Sequence, residues 1–520
     1  MVSKFKYYLI ILGCVHFLFS GTSKQGEAYE YFLKGEYEIL HNNFRNAEKH
    51  YTKALSLSPG SPTILQSLVD LKSYQGKYPE AIQYLEKIME LEPSNKDSGL
   101  DLYELYIHEG DTIKAELVLD SLLTHYPGDQ DILFFRANTQ FANQDWSNLL
   151  KTYQAIYVSD PDHNDLLIKI YEIGIATGNI DLVREILTEL KAASENLIIL
   201  ELLVEIANNM GEYDEAINLM EELMEIAGSS DELKINLSAL FLKTEQFEEV
   251  ISILQPIYET GNYSLDILRM LLISFSSLAQ IEKEIDVSQT LLNEYPELSV
   301  GYEALSFSYL KLGSIEKAVK ILLDALLKFP DEVTFPYSLA TIFYDSGDFL
   351  KAENYFHNVL SIQSDMISAK HALAMMYEEM NDTNRSDSLF LHIIEQDKND
   401  AVSRNDYAYI LSERDKISPE ELSFALELAT NAIANEPDNA AFLDTIGWIY
   451  YKLGTYQIAE EYLEKSLSIN DNNPVILEHL GDIYVKLNKS SEAVNIYEKV
   501  LSIDSDNHLV KDKIHKINGR

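Results

Sequence analysis

One stretch of this chain recurs with the same residue types at a spacing of 34 residues. Residues 443–454 read LDTIGWIYYKLG, and residues 477–488 read LEHLGDIYVKLN. A fixed period of this size is typical of repeat architectures, because each copy is one small unit that buries its apolar face only against its neighbours. The chain is therefore expected to form a stack of similar units.

The repeat extends through most of the chain. Steps of 34 residues from Ala28 give fourteen copies that end near Asn507, with the fifth copy one residue short. The twelfth copy has about five extra residues around Glu413 to Glu421. Within this insertion, residues 418–421 read SPEE, which is the order of an N-cap, a first-turn proline and a capping-box acid. The insertion is therefore expected in the turn between two helices.

Each copy has the residue types that are typical of a helix, a turn and a second helix. Small residues such as Gly447 and Ala459 allow two helices to approach closely. The fifteenth place holds Gly or Asn, the residues that best tolerate the left-handed conformation at a helix end. A proline near the thirty-second place ends the second helix. The turn residues are Asn42, Gly76, Gly110, Gly178, Gly211, Gly313, Gly347, Asn381, Gly454 and Asn488, and the prolines are Pro59, Pro93, Pro127, Pro296, Pro330 and Pro437.

With Leu, Gly or Ala, Tyr, Gly, Tyr, Ala, Phe or Tyr, Ala and Pro at these spacings, the chain resembles the tetratricopeptide repeat family from about Ala28 to Asn507. The resemblance implies an all-α fold, a right-handed superhelical solenoid of about fourteen helix-turn-helix units whose first helices line a concave groove. We expect the array to occupy residues 22–507 and a capping helix to occupy residues 508–520.

The N-terminus has the layout of a secretory signal peptide over residues 1–21. Lys4 and Lys6 precede a mostly apolar run from Tyr7 to Ser20. Cys14 lies in a sequence similar to a bacterial lipobox, so lipidation of Cys14 and retention of the run as an uncleaved anchor are alternatives to cleavage. In each case a bacterial protein exported to the periplasm or the outer-membrane-associated cell envelope is expected.

The charge of the chain argues against polyanionic partners. Lys and Arg total 41 against 84 Asp and Glu, a formal net charge of −43, which repels phosphate backbones and anionic headgroups. Nucleic acid is excluded as a partner, and membrane contact is expected only through the leader or a lipid. Acidic groove positions favour basic partner segments, with a solvated charged face as the alternative; these positions are Asp97, Asp101, Glu104, Glu201 and Glu205.

The sequence contains no pattern of catalytic residues. It has no glycine-rich phosphate loop, no HExxH metal pair and no GxSxG nucleophile, and its single cysteine lies in the leader. The repeats also leave no segment of domain size for a catalytic domain. The chain is therefore predicted to be non-enzymatic, with no cofactor and no metal.

The groove positions of the family predict a set of partner-binding aromatic residues. Aromatic side chains there would anchor an extended or helical partner segment; packing between neighbouring helices is the alternative. Replacing Trp448 and Tyr451 is expected to weaken partner capture with little loss of stability. The predicted function is a protein–protein interaction scaffold, and the alternative is a lipid-anchored envelope assembly factor or glycan-binding component. The predicted residues are Trp448, Tyr451, Tyr409, Tyr337, Tyr344, Phe307, Phe134 and Phe141.

Overall fold

The computed structural model describes residues 24–519. These residues form 29 α-helices, and no β-strand occurs among them. The predicted leader over residues 1–21, including Cys14, lies outside the described residues. Within residues 24–519, no helix is both long and apolar enough to cross a membrane. The all-α prediction is confirmed.

The helices divide into two compact units, one up to Thr260 and one from Gly261 onward. The N-terminal unit contains seven helical hairpins, and each hairpin pairs an odd-numbered helix with the even-numbered helix that follows. Its helices are α1 Lys24–Leu40, α2 Phe44–Leu57, α3 Pro62–Tyr74, α4 Tyr78–Leu91, α5 Lys96–Glu109, α6 Thr112–His125, α7 Gln130–Ala142, α8 Trp146–Ser159, α9 Asn164–Thr177, α10 Ile180–Ala193, α11 Leu197–Met210, α12 Tyr213–Ala227, α13 Asp231–Lys243 and α14 Phe247–Glu259.

The C-terminal unit contains seven further hairpins and a single last helix. Its helices are α15 Leu265–Ser277, α16 Ile281–Glu294, α17 Ser299–Lys311, α18 Ile315–Lys328, α19 Thr334–Asp345, α20 Phe349–Ile362, α21 Ile367–Glu379, α22 Thr383–Gln396, α23 Ala401–Glu413, α24 Pro419–Asn435, α25 Ala440–Lys452, α26 Tyr456–Ile469, α27 Pro474–Lys486, α28 Ser490–Ile503 and α29 His508–Asn518. The hairpin count agrees with the fourteen copies in the sequence.

In thirteen of the fourteen hairpins the turn contains one residue in the left-handed conformation; the exception is the twelfth hairpin, whose longer turn lies between Glu413 and Pro419. All ten Gly and Asn residues predicted at the fifteenth place have positive φ angles, from 59° at Asn42 to 81° at Gly110. Three copies lack Gly or Asn at this place, and there Gln144, Glu245 and Ala279 adopt φ angles of 57°, 58° and 54°. The turn geometry is therefore a property of the repeat, which even unfavourable residue types adopt.

The predicted prolines stand two residues beyond the last residue of a second helix. For example, α2 ends at Leu57 before Pro59, and α18 ends at Lys328 before Pro330. Because proline cannot donate the next helical hydrogen bond, it stops the helix and starts the connection to the following hairpin.

The insertion in the twelfth copy lies in a hairpin turn, as predicted. Helix α23 ends at Glu413, and α24 begins at Pro419. Ser418 Oγ accepts from Glu421 N over 3.1 Å, and Ser418 N donates to Glu421 Oε2 over 2.8 Å. These reciprocal bonds form the capping box and fix the start of α24.

The core of each hairpin depends on close contact between its two helices. Ala459 and Leu463 of α26 are 0% exposed and pack on α25. A Cβ atom at Gly447 of α25 would lie 2.1 Å from Leu463 Cδ2, so only glycine permits this approach. At the C-terminus, Val510 of α29 is also 0% exposed and shares a core cluster with Tyr497 of α28.

Candidate partner-binding face

In each unit, the first helices of successive hairpins lie side by side and are joined by side-chain contacts. Gln66 Nε2 on α3 donates to Asp101 Oδ2 on α5 over 3.3 Å. In the C-terminal unit, His479 Nδ1 on α27 lies 2.8 Å from Asp444 Oδ1 on α25. Both contacts join residues 35 positions apart, one more than the repeat length. We call the surface that the odd-numbered helices share within a unit the first-helix face.

Trp448 of α25 is held in place by residues of two neighbouring first helices. Its side chain is buried, at 7% exposure. Tyr451 and His479 stack on the indole, with ring centroids 4.6 and 4.0 Å away. The indole Nε1 donates to Glu413 Oε1 on α23 over 2.6 Å. Trp448 is therefore held in place like a core residue, and it needs no binding partner to hold it.

Glu413 is ionised in this arrangement. Burial disfavours its charge, but hydrogen bonds from Trp448 and Lys452 and the positive charge of Lys452 outweigh burial, so the pKa of Glu413 lies below its ordinary value. Lys452 Nζ is 2.9 Å from Glu413 Oε1 and lies over the Trp448 ring at 5.0 Å. The indole therefore contacts both members of the ion pair between Glu413 and Lys452.

Tyr409 of α23 belongs to the same cluster. Its ring centroid is 6.5 Å from that of His479. Burial raises the pKa of Tyr409 to about 12, and the charges of Glu413, Asp444 and Glu478 act in the same direction. The structure thus brings three predicted residues together, Tyr409, Trp448 and Tyr451, around His479, which sequence reasoning did not identify.

The two predicted tyrosines of α19 are half-buried and bonded within the C-terminal unit. The Tyr344 hydroxyl donates to Glu379 Oε1 on α21 over 2.5 Å. Burial and this hydrogen bond raise the pKa of Tyr344 above its ordinary value. Tyr337 packs edge-on against Phe356, with ring centroids 6.1 Å apart. These tyrosines contribute mainly to packing.

The three predicted phenylalanines are the exposed members of the set. Phe307 of α17 is 56% exposed, and Lys311 Nζ lies over its ring at 4.7 Å. In α7, Phe134 and Phe141 are 38% and 54% exposed, and Phe141 meets Trp146 edge-on at 5.6 Å. Exposed rings on a first-helix face leave apolar area free for a partner.

A cleft of about 620 Å³ opens between α11 and α13 in the N-terminal unit. The apolar side chains that line it include Val204 and Leu240, which are buried. Its acidic residues are all exposed. They have no Lys, Arg or His within ion-pair distance among residues 24–519. The acidic residues are Glu201, Glu205 and Glu232, and the remaining lining residues are Asn208, Met220, Leu223, Ser230, Leu233, Asn236, Ala239 and Lys243.

Two residues on the α11 side of this cleft were predicted from the sequence. Glu201 and Glu205 were predicted as acidic groove positions, and both line it. Glu205 accepts a hydrogen bond from Tyr171 of α9; burial and this bond raise the pKa of Tyr171 to about 12. The α13 side of the cleft was missed, since Glu232 and Asn236 carry no repeat signature.

Residues 24–519 contain no group of three or more His, Cys, Asp or Glu side chains arranged to hold a metal ion.

The hairpins, their left-handed turn residues and the adjacent first helices define the class of protein, an all-α helical-repeat solenoid in each unit. Three segments match models of the tetratricopeptide repeat, residues 74–138 in the N-terminal unit and residues 440–473 and 476–507 in the C-terminal unit. These segments are similar to tetratricopeptide repeats, and the other hairpins of both units have the same helix-turn-helix form. Proteins with such repeats generally mediate protein–protein interactions. No curated protein matches the chain.

Solved structures that match this chain have low sequence identity to it and TM-scores of 0.39. Cut9-Hcn1 of the APC/C is 14% identical over 96% of this chain and 97% of its own, with a TM-score of 0.39. The Naa15/Naa10 structure bound to HypK-THB is 16% identical over 88% and 77%, also with a TM-score of 0.39. A tetratricopeptide repeat protein from Parabacteroides merdae is 15% identical over 49% and 98%, with a TM-score of 0.39.

Proposed function

We propose that this chain is a non-enzymatic scaffold of the bacterial cell envelope that binds segments of partner proteins on its first-helix face. The cleft between α11 and α13 carries the proposal. It combines buried apolar residues with carboxylates that lack a cationic partner, which is the combination that holds an amphipathic segment in a groove.

The chemistry of the cleft selects the kind of segment. Apolar side chains of a partner would cover Leu233, the half-buried leucine of the lining, while its Lys or Arg residues would reach Glu201 and Glu232. Lys243, the one cation in the lining, already donates to Asn208 Oδ1 over 2.7 Å. Basic segments are therefore favoured over acidic ones.

Exposed aromatic residues supply further contacts of the same kind. Phe307 in the C-terminal unit and Phe134 and Phe141 in the N-terminal unit offer rings that a partner can bury. Trp448 has a different role in this proposal, because it is buried and already stacked. It positions Tyr451, which is less buried than Trp448.

The envelope location rests on the leader sequence. A basic start at Lys4 and Lys6 and the apolar run from Tyr7 to Ser20 favour export. Mass spectrometry of the mature N-terminus distinguishes a free terminus near Gly21 from an acylated Cys14.

Capture of envelope proteins by wild-type and altered chains tests the binding role. The variant Glu201→Gln, Glu205→Gln, Glu232→Gln is expected to lose the proteins that wild type captures, because a basic segment loses its counter-charges. The control removes three exposed carboxylates from second helices, Glu185→Gln, Glu225→Gln and Glu248→Gln. Equal capture by both variants would overturn the assignment to the cleft.

A further inference from the structure

The surface of α2, the second helix of the first hairpin, carries a cluster of positive charges, whereas the chain as a whole is negatively charged. Arg45, Lys49 and Lys53 are spaced four residues apart on α2, so they lie along one stripe of the helix. Lys77, in the turn before α4, joins them around one open depression of about 950 Å³. All four side chains are exposed.

These four cations have no carboxylate partner. None of the four takes part in an ion pair within the described part of the chain. Glu48, the only acid in the lining, pairs with the buried Lys72, 2.8 Å away, which also pairs with Glu80.

The surroundings of the patch match those of a membrane-interface surface. Phe44 lines the depression, and its ring centroid lies 4.8 Å from that of Tyr74, which is 73% exposed. Aromatic rings beside Lys and Arg are typical of surfaces that rest at the headgroup level. In the sequence, the apolar run from Tyr7 to Ser20 ends shortly before α1. The patch therefore lies in the hairpin nearest to the predicted export signal.

The net charge of −43 does not forbid contact with an anionic surface. At physiological ionic strength, charges are screened beyond about 8 Å, so the local charge of the contacting surface decides the interaction. Around α2 this local charge is positive.

We propose that Arg45, Lys49, Lys53 and Lys77 form a docking surface for anionic phospholipid headgroups, which holds the first hairpin against a membrane. The contact is electrostatic and reversible, and it is independent of partner binding on the first-helix face. Each Lys or Arg near an anionic surface strengthens the association about fivefold.

Vesicle sedimentation of the full chain tests this docking surface. Vesicles of phosphatidylcholine alone are compared with vesicles that also contain phosphatidylglycerol, at low and high salt. The leader, including Lys4 and Lys6, is the same in wild type and variants, so the difference between wild type and variant in the preference for phosphatidylglycerol reports the patch. The variant Arg45→Gln, Lys49→Gln, Lys53→Gln is expected to lose the preference for phosphatidylglycerol, by roughly a hundredfold in partitioning.

A matched control removes three exposed cations from the C-terminal unit, Lys398→Gln, Lys416→Gln and Lys499→Gln, which changes the net charge equally. It is expected to keep the wild-type preference, and circular dichroism is expected to show both variants folded. The proposal is overturned if wild type binds both vesicles equally or if the two variants lose the preference equally. Binding of soluble polyglutamate in place of the vesicles would also overturn it, since it would indicate an acidic protein partner.

Discussion

At the scale of single residues, Trp448 shows that the place of a residue in the repeat does not determine whether its side chain is exposed in the structure. The groove rule assigns it to partner binding, yet Glu413 and His479, both 31 or more residues away in sequence, cover and bond it. Glu413 lies in the hairpin before that of Trp448 and His479 in the hairpin after it, so one copy of the repeat contains neither neighbour. Exposure of the groove aromatics was therefore not predictable from the repeat alone.

Truncation of Trp448 is predicted to destabilise the C-terminal unit. Trp448→Ala removes a buried ring and leaves Glu413 without its indole donor, so a loss of about 3–5 kcal/mol is expected. Trp448→Phe is expected to lose less, because a ring remains. Urea unfolding followed by circular dichroism measures both, with Trp146→Ala at a half-buried site as the control. Unchanged stability of Trp448→Ala would show that the indole is free for a partner, as the sequence first suggested.

Gly447 is predicted to be intolerant of even one added carbon. Alanine normally stabilises a helix interior by about 1 kcal/mol relative to glycine. Here the new Cβ would lie 2.1 Å from Leu463 Cδ2 and 3.3 Å from Ala459 O. Leu463 is 0% exposed and has no space to move. Gly447→Ala is therefore expected to lower stability by about 1–3 kcal/mol; a rise in the melting temperature would contradict the close helix approach.

At the scale of helices and turns, the sequence predicts the helix ends correctly wherever the local backbone conformation favours a particular residue type. Gly or Asn at the turn, Pro after the second helix and the SPEE insertion all gave the correct helix ends. The turns at Gln144, Glu245 and Ala279 carried no such mark, and they form because the packed helices on either side require them.

The turn at Ala279 offers a stabilising substitution. Its φ of 54° is a left-handed conformation, which costs a residue with a Cβ about 1–2 kcal/mol. Ala279→Gly is expected to raise stability by about 1 kcal/mol, as measured by thermal unfolding. Ala304→Gly in the interior of α17 is the control and is expected to lower it by about 1 kcal/mol. If both substitutions destabilise, Ala279 does not adopt the left-handed conformation.

At the scale of the whole molecule, the chain has a large negative net charge. The effect of each carboxylate on stability depends on the surroundings of that carboxylate. Burial and the charge of Glu332 raise the pKa of Glu303. The native state therefore holds this proton more tightly than the unfolded state, and ionised Glu303 lowers stability at neutral pH. Glu413, with its lowered pKa, behaves in the opposite way: its contribution is present above its ordinary pKa and is lost as pH falls through its native pKa.

Two isosteric substitutions separate these effects. Glu303→Gln is expected to be more stable than wild type at pH 7, with an advantage that shrinks as pH falls and wild type takes up its proton. Glu413→Gln is expected to be less stable at pH 7, with a deficit that shrinks at acidic pH. Melting temperatures across this pH range measure both. The same sign for the two variants at pH 7 would contradict the assigned environments.

The proposed function divides the surface of each unit into a first-helix face that binds partners and second helices that do not. A photo-crosslinking residue placed at Asn236 or Phe307 probes the first-helix face, and one at Leu117 or Leu327 probes second helices of the same units. All four side chains are exposed. In the intact envelope, crosslinks to other proteins are expected from Asn236 and Phe307 alone; crosslinks of equal yield from Leu117 and Leu327, or none from Asn236 and Phe307, would contradict partner binding on the first-helix face.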